Sequence, residues 1–303
     1  MTKPGKNRNW LRALSLLALF LVGDRVGGYI MDRAFQSTRF RFSQVYSGDL
    51  PADLVFIGNS RGVHMFHRPP LEAISGQRVA NISFNGMPAP MMPVIWNDYL
   101  EHHKAPSKVF VEVSCIGRDN EPGSLERFAV LMAHSPATCE LMKRSRTQKY
   151  WWCQVSHLYR FNSELHRRSL FFLRNSDQDW IMDGQVPSDW HDPDFVSQHG
   201  QFQRSQDDVE AISKLIAIAN QAGVEVELIL APYLPAYQAQ LPSHAEWLAW
   251  LESELGQPIH DYSSALPDSK SFADPIHLNP EGAKTFASFL NDEAVLAPTK
   301  ATP

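Results

Sequence analysis

The chain has 303 residues, enough to bury a full core and still carry an anchor or an insertion. Hydrophobic residues make up 44% and charged residues 20%, as in an ordinary globular protein, and the net charge of -5 gives no reason to propose nucleic acid as a partner. The three cysteines, Cys115, Cys139 and Cys153, fit neither a disulfide framework nor a paired zinc pattern. Cys139 and Cys153 can form one disulfide if the region is exported, or all three can remain thiols.

The first residues are basic (Lys3, Lys6, Arg8, Arg12) and run into Trp10 to Val22, which is nearly all apolar. That pattern matches the charged and apolar regions of an export signal. The unbroken run is short for a bilayer core of about 30 Å. Asp24 and Arg25 interrupt it before Val26-Gly-Gly-Tyr-Ile-Met31 resumes, and no small-x-small cleavage site follows. The reading is therefore an uncleaved signal anchor over residues 1–34, against the alternative of an amphipathic soluble helix. Asp24 and Arg25 are expected at the interface, or paired as neighbours if they lie deeper. The positive-inside tendency places everything after about residue 35 outside the cytoplasm. Residues 35–51 read as a juxtamembrane linker.

Next comes Asp53-Leu-Val-Phe-Ile-Gly-Asn-Ser-Arg-Gly62. Leu54 to Ile57 suit a short parallel strand buried on both faces. Gly58-Asn59 breaks the run, and Ser60 stands where the chain leaves the strand. Open α/β folds place their ligands at that end of the sheet. A helix follows around Pro70 to Ser75, then a strand over Arg78 to Ser83, the turn signal Asn85-Gly86, a helix from Pro88 to His103, and a strand over Lys108 to Val113. This alternation predicts a parallel doubly wound sheet.

Between about 118 and 203 the alternation stops. The stretch is partly helical and rich in aromatics, among them Trp151-Trp152, Tyr159, Phe161, Phe171-Phe172, Trp180 and Trp190. It reads as an insertion packed over one end of the sheet. Its aromatics serve as core, or else as a lid, a sugar platform or a surface for a membrane partner, with Arg144, Arg146 and Lys149 beside them. The alternation returns with a helix from Gln206 to Gln221 ended by Gly223, a strand over Val224 to Ala231, a helix capped by Ser243, and an edge strand at Pro258 to Tyr262. A final helix runs to about Glu293, and a loose tail occupies 296–303.

Asp274-Pro-Ile-His277 carries the second half of the chemistry. A serine hydroxyl is a poor nucleophile at neutral pH unless a base takes its proton. His277 is the candidate base, and Asp274, three residues earlier, is close enough to hold its other ring N–H. The two blocks together resemble the SGNH/GDSL hydrolase superfamily. Gly58-Asn59-Ser60 is similar to its G-D-S block, and Asp274-Pro-Ile-His277-Leu-Asn-Pro-Glu-Gly282 to its closing D-x-x-H block and helix entry. The resemblance implies an α/β, flavodoxin-like three-layer sandwich over 52–118 and 204–295, within a domain spanning 52–295. It also implies catalytic roles for Ser60, Asp274 and His277. For the oxyanion hole it implies the Ser60 N–H, the Gly86 N–H and an asparagine side chain.

The third block departs from the pattern. Where the superfamily has G-x-N-D, this chain reads Ser114-Cys-Ile-Gly-Arg-Asp-Asn120, with Asn120 one residue too far along. Asn85, Ser114 or Arg118 are the substitutes, and losing one such donor costs on the order of a hundredfold or more in rate. Gly58 to Gly62 also satisfies G-x-S-x-G, the nucleophile elbow of α/β-hydrolases. That fold places several strands before its elbow, whereas Ser60 ends the first one here. His64-x-x-His67 and His102-His103 lack a matching carboxylate cluster and read as structural histidines. No cofactor or metal is called for. Arg61 is read as a surface arginine, or as a contact for an anionic substrate or a structural carboxylate. A tethered domain of this kind resembles the accessory proteins of membrane-bound O-acyltransferases, as in alginate acetylation and teichoic-acid D-alanylation. That resemblance implies a polysaccharide or acylated glycan substrate and a membrane-bound O-acyltransferase as partner. A plain esterase and a glycan-binding scaffold with a dead site are the alternatives.

Overall fold

The computed structural model describes residues 6–117, 123–173, 181–200, 202–242 and 244–298. They form two compact units, Met1–Gln44 with Leu125–Asp177, and Val45–Ser124 with Gln178–Pro303.

The second unit is built on five parallel strands: β1 (Leu54–Ile57), β2 (Val79–Asn81), β3 (Lys108–Glu112), β4 (Glu225–Leu230) and β5 (Ile259–Asp261). Their order is β2-β1-β3-β4-β5, the flavodoxin-like order, so the fold is α/β with a central parallel sheet. The apolar run Leu54 to Ile57 has the reason expected of it: β1 lies inside the sheet and all four side chains are buried. Phe56 stacks on Phe110 of the neighbouring strand, with ring centroids 4.5 Å apart. Helices between and after the parallel strands pack in two pairs. The helix Arg68–Ser75 packs with the last helix, Pro280–Asp292, and Met92–His102 packs with Gln206–Gln221. The helix Gln206–Gln221 shows why the sequence was readable here. Ser205 caps it by accepting the Asp208 N–H, Val209, Ile212, Leu215 and Ile216 form its buried stripe, and Gly223 turns out of it at φ +71°.

Because all five strands are parallel, the loops after β1, β2, β3 and β4 leave from the same edge of the sheet. A two-stranded antiparallel ribbon, β6 (Phe272–Asp274) and β7 (His277–Leu278), follows β5. The expected cap at Ser243 lies outside the described residues. The preceding position of the helix Ala245–Leu255 is His244, which makes no capping hydrogen bond.

The first unit departs furthest from expectation. One helix runs from Lys6 to Gln36, and a second, Arg41–Ser47, occupies the stretch read as a linker. Phe35 and Phe42 are fully buried there, so these aromatics belong to a core. The inserted segment folds as short helices at Pro136–Ser145, Thr147–Val155, His157–Arg160 and Glu164–Phe171, three of them capped by Ser135, Ser156 and Ser163. Phe161 and Phe172 are core residues, as read from the sequence, but Trp151, Trp152 and Phe171 are exposed. Trp180 lies outside the described residues. All three cysteines are free thiols.

Candidate active site

Ser60 opens a short helix, Ser60–Met65, directly beyond the carboxyl end of β1. The local sequence dictates the turn. Asn59 caps the helix by accepting the Arg61 N–H at 2.9 Å. A Cβ on Gly58 would lie 2.8 Å from the Glu112 Cβ, and one on Gly62 would lie 2.9 Å from the Ser83 Cβ. Only glycine at both positions lets the helix sit so close to β3 and to the loop after β2. Asn81 fastens the same helix from the side, donating to the carbonyls of Gly62 and Phe66, each at 2.8 Å.

The other half of the site comes from the β6–β7 ribbon, more than two hundred residues later. Asp274 Oδ1 accepts the backbone N–H groups of Ile276 and His277, both at 2.9 Å, which folds Asp274-Pro-Ile-His277 into a tight turn. Asp274 Oδ2 lies 2.7 Å from His277 Nδ1, and His277 Nε2 lies 2.9 Å from Ser60 Oγ. With its proton on Nδ1 and held by the carboxylate, the imidazole presents an unprotonated Nε2 to the serine hydroxyl. Burial pushes the Asp274 carboxyl up. The hydrogen bond and charge of His277, with the Ile276 and His277 N–H groups, outweigh that and hold it below its ordinary value. Asp274 therefore stays ionised wherever the imidazole functions as a base.

The residues after Asp274 in the closing block are explained by packing. Asn279 caps the last helix through the Gly282 N–H at 3.0 Å, and its amide donates to the Lys270 carbonyl at 2.7 Å. A Cβ on Gly282 would lie 2.7 Å from the carbonyl carbon of Ser271, so glycine is required. His-Leu-Asn-Pro-Glu-Gly thus locks the ribbon that presents His277 onto the helix behind it.

Arg61 overturns the surface reading. Its side chain is 2% exposed and is ion-paired at 3.2 Å with Glu112, which is 0% exposed. It also donates to the carbonyls of Ala231 and Pro232 after β4 and to Ile276 O at 3.1 Å, and lies 3.8 Å over the Tyr233 ring. The guanidinium is held by the protein on all these sides. One residue beside Ser60 thereby clamps the ends of β3 and β4 and the backbone adjoining His277. Sequence reasoning missed Glu112, although a carboxylate ending an apolar strand was the available signal. Its Oε2 also accepts the Ser114 hydroxyl at 2.7 Å, so Ser114 is tied to Glu112.

Asn85 and Gly86 form the turn after β2, with Gly86 at φ +65° and the preceding Phe84 N–H bonded to Gly58 O at 3.1 Å. The turn is pinned to the residue two before Ser60. Asn120 and Arg118 lie outside the described residues. His64 is buried, and its ring stands edge-on to His277 with centroids 5.0 Å apart. His64 is thus part of the packing around the catalytic candidate.

No protein-family model and no curated protein matches the chain. Among solved structures, it is similar to a Bacteroides fragilis protein that carries a provisional acylhydrolase name. The two share 12% identity with a TM-score of 0.38, over 82% of this chain and 88% of the other. At that distance no activity is carried over. The geometry stands alone.

Proposed function

We propose that the protein is a serine acyl-transfer enzyme of SGNH type, with Ser60 as nucleophile, His277 as general base and acid, and Asp274 as the group that orients the imidazole. The single observation supporting this is the continuous chain from Ser60 Oγ to His277 Nε2 at 2.9 Å and from His277 Nδ1 to Asp274 Oδ2 at 2.7 Å. In the first half-reaction Ser60 Oγ bonds to the carbonyl carbon of an acyl ester or thioester while its proton passes to Nε2. The oxyanion of the tetrahedral intermediate is met by the N–H groups of Ser60 and Gly86, with Asn85 as the side-chain donor. Collapse breaks the bond to the leaving group, which takes the proton from His277, and leaves acyl-Ser60. An acceptor hydroxyl then attacks the acyl carbon and gives its proton to His277. Collapse of this second intermediate breaks the bond to Ser60 Oγ, which takes the proton back from Nε2, and the acceptor departs as the new ester.

The acceptor we propose is an envelope polysaccharide, with a membrane-bound O-acyltransferase as donor partner. The long apolar helix near the N-terminus, Asn9–Gln36, supports this setting. A tether holds the serine at high effective concentration beside a membrane donor. The test is the pair Ser60→Ala and His277→Ala, scored for acylation of envelope glycan in cells. Loss of acylation in both is the expected result. Gain of acylation would mark a deacylating esterase that uses water as acceptor, and wild-type behaviour in both would reject the enzymatic reading.

A further inference from the structure

The inserted segment contacts the N-terminal helix at the residues that interrupt its apolar run. Asp24 is 4% exposed although it sits in an apolar helix. Its carboxylate accepts the Ser156 hydroxyl at 2.5 Å and the backbone N–H groups of His157 at 2.8 Å and Leu158 at 3.3 Å. Arg25 pairs with Asp24 at 2.6 Å and donates to Val155 O at 3.1 Å. One turn on, Gly27 and Gly28 allow the close approach. A Cβ on Gly28 would lie 2.6 Å from the His157 Cβ, and one on Gly27 3.0 Å from the Leu158 side chain. The charges that shorten the apolar run are thus satisfied by protein, and they fix residues 155–158 at the level of Asp24 to Gly28.

That level decides what surrounds the insertion. From Trp10 to Gly23 the helix rises only about 21 Å, well short of a hydrocarbon core of about 30 Å. The face opposite Asp24 stays exposed and apolar through Val26, Tyr29 and Ile30. Counted to Met31, the rise is about 33 Å, enough to span. A helix spanning over this length carries residues 155–158 into the slab with it. The neighbouring outward side chains have the composition of a lipid-facing surface. Trp151 and Trp152 are 56% and 53% exposed, and Val155, Leu158, Leu170 and Phe171 are exposed beside them. Lys143, Arg144 and Arg167 are exposed cations on the same segment, suited to anionic headgroups.

We propose that Thr147–Leu173 is a membrane-inserted element, seated on the Asp24 to Gly28 face of the N-terminal helix and immersed through Trp151, Trp152, Val155, Leu158, Leu170 and Phe171 in the lipid leaflet at the C-terminal end of that helix. The proposal rests on the reading that the N-terminal helix spans the bilayer. It replaces a single-helix tether by a broader wedge whose depth is fixed by the buried Asp24.

The test uses the full chain reconstituted into phosphatidylcholine–phosphatidylglycerol vesicles, with phosphatidylcholine either unmodified or brominated along the acyl chain. Bromine quenches indole emission on contact. Three proteins are compared: the unaltered chain, Trp10→Phe, and Trp10→Phe combined with Trp151→Phe and Trp152→Phe. The expected result is acyl-chain quenching that persists in Trp10→Phe and is lost in the triple variant. Quenching that Trp10→Phe alone abolishes would overturn the wedge while leaving the spanning helix standing. No quenching in any of the three would overturn the spanning reading itself, and the wedge with it. Quenching that persists unchanged in the triple variant would place other tryptophans in the lipid and reject the assigned surface.

Discussion

At the scale of single residues, the account gives each member of the site a separable signature. Replacing Ser60 by Ala removes the atom that forms the covalent bond and should lower kcat/KM for an activated acetate ester on the order of 10⁴-fold or more. Asp274→Asn keeps the shape of the turn and loses the charge that fixes the imidazole tautomer. Its kcat should fall on the order of 10⁴-fold, with KM changed little. Asp274 also carries a stability term with a definite sign. Its folded carboxyl lies below the ordinary 3.8, so the unfolded chain takes up the proton first. The stabilisation is complete above the ordinary value and is lost as pH falls through the lower, folded one. Urea melts near neutrality and near pH 3, flanking the ordinary carboxyl range of about 4, should show a smaller acid-induced loss for Asp274→Asn than for the unaltered chain. Equal losses would contradict the assigned coupling.

At the scale of elements, the strands and the two candidate catalytic blocks were legible because their determinants are local. A four-residue apolar run, a capping Asn59, and a D-x-x-H turn closed by its own carboxylate each follow from neighbouring residues. What joins them was not legible, because Arg61 reaches Glu112, Pro232 and Ile276 across 51, 171 and 215 positions of sequence. No periodicity records that. The pair is fully buried, so removing one member leaves an uncompensated charge, at a cost of about 3–5 kcal/mol. Arg61→Met should therefore lose that much in denaturant unfolding, and Arg61→Met with Glu112→Gln should recover part of it. A loss within about 0.5 kcal/mol, the range of ordinary surface changes, would contradict the clamp. Gly282→Ala offers an independent check on the closing block. Its new methyl meets the Ser271 backbone, so a destabilisation of about 1–3 kcal/mol is expected from the same melts.

At the scale of the whole molecule, the first 44 residues and the inserted segment had to be read together, and sequence order hid this. Asp24 looks like a break in an anchor until Ser156 and the N–H groups of His157 and Leu158, 132 to 134 positions later, are placed against it. The aromatic insertion looks like core until Trp151 and Trp152 are seen on the outside. An intact chain of this kind should stay with the membrane through alkaline carbonate and come off in detergent. Release by carbonate would contradict the anchor. The central claim concerns Ser60 as an activated nucleophile and is tested most directly on the full chain with a fluorophosphonate followed by mass spectrometry. The account predicts one covalent adduct on Ser60, formed quickly in the unaltered protein and lost in His277→Ala. No adduct, or an adduct on another residue with Ser60 unmodified, would contradict it.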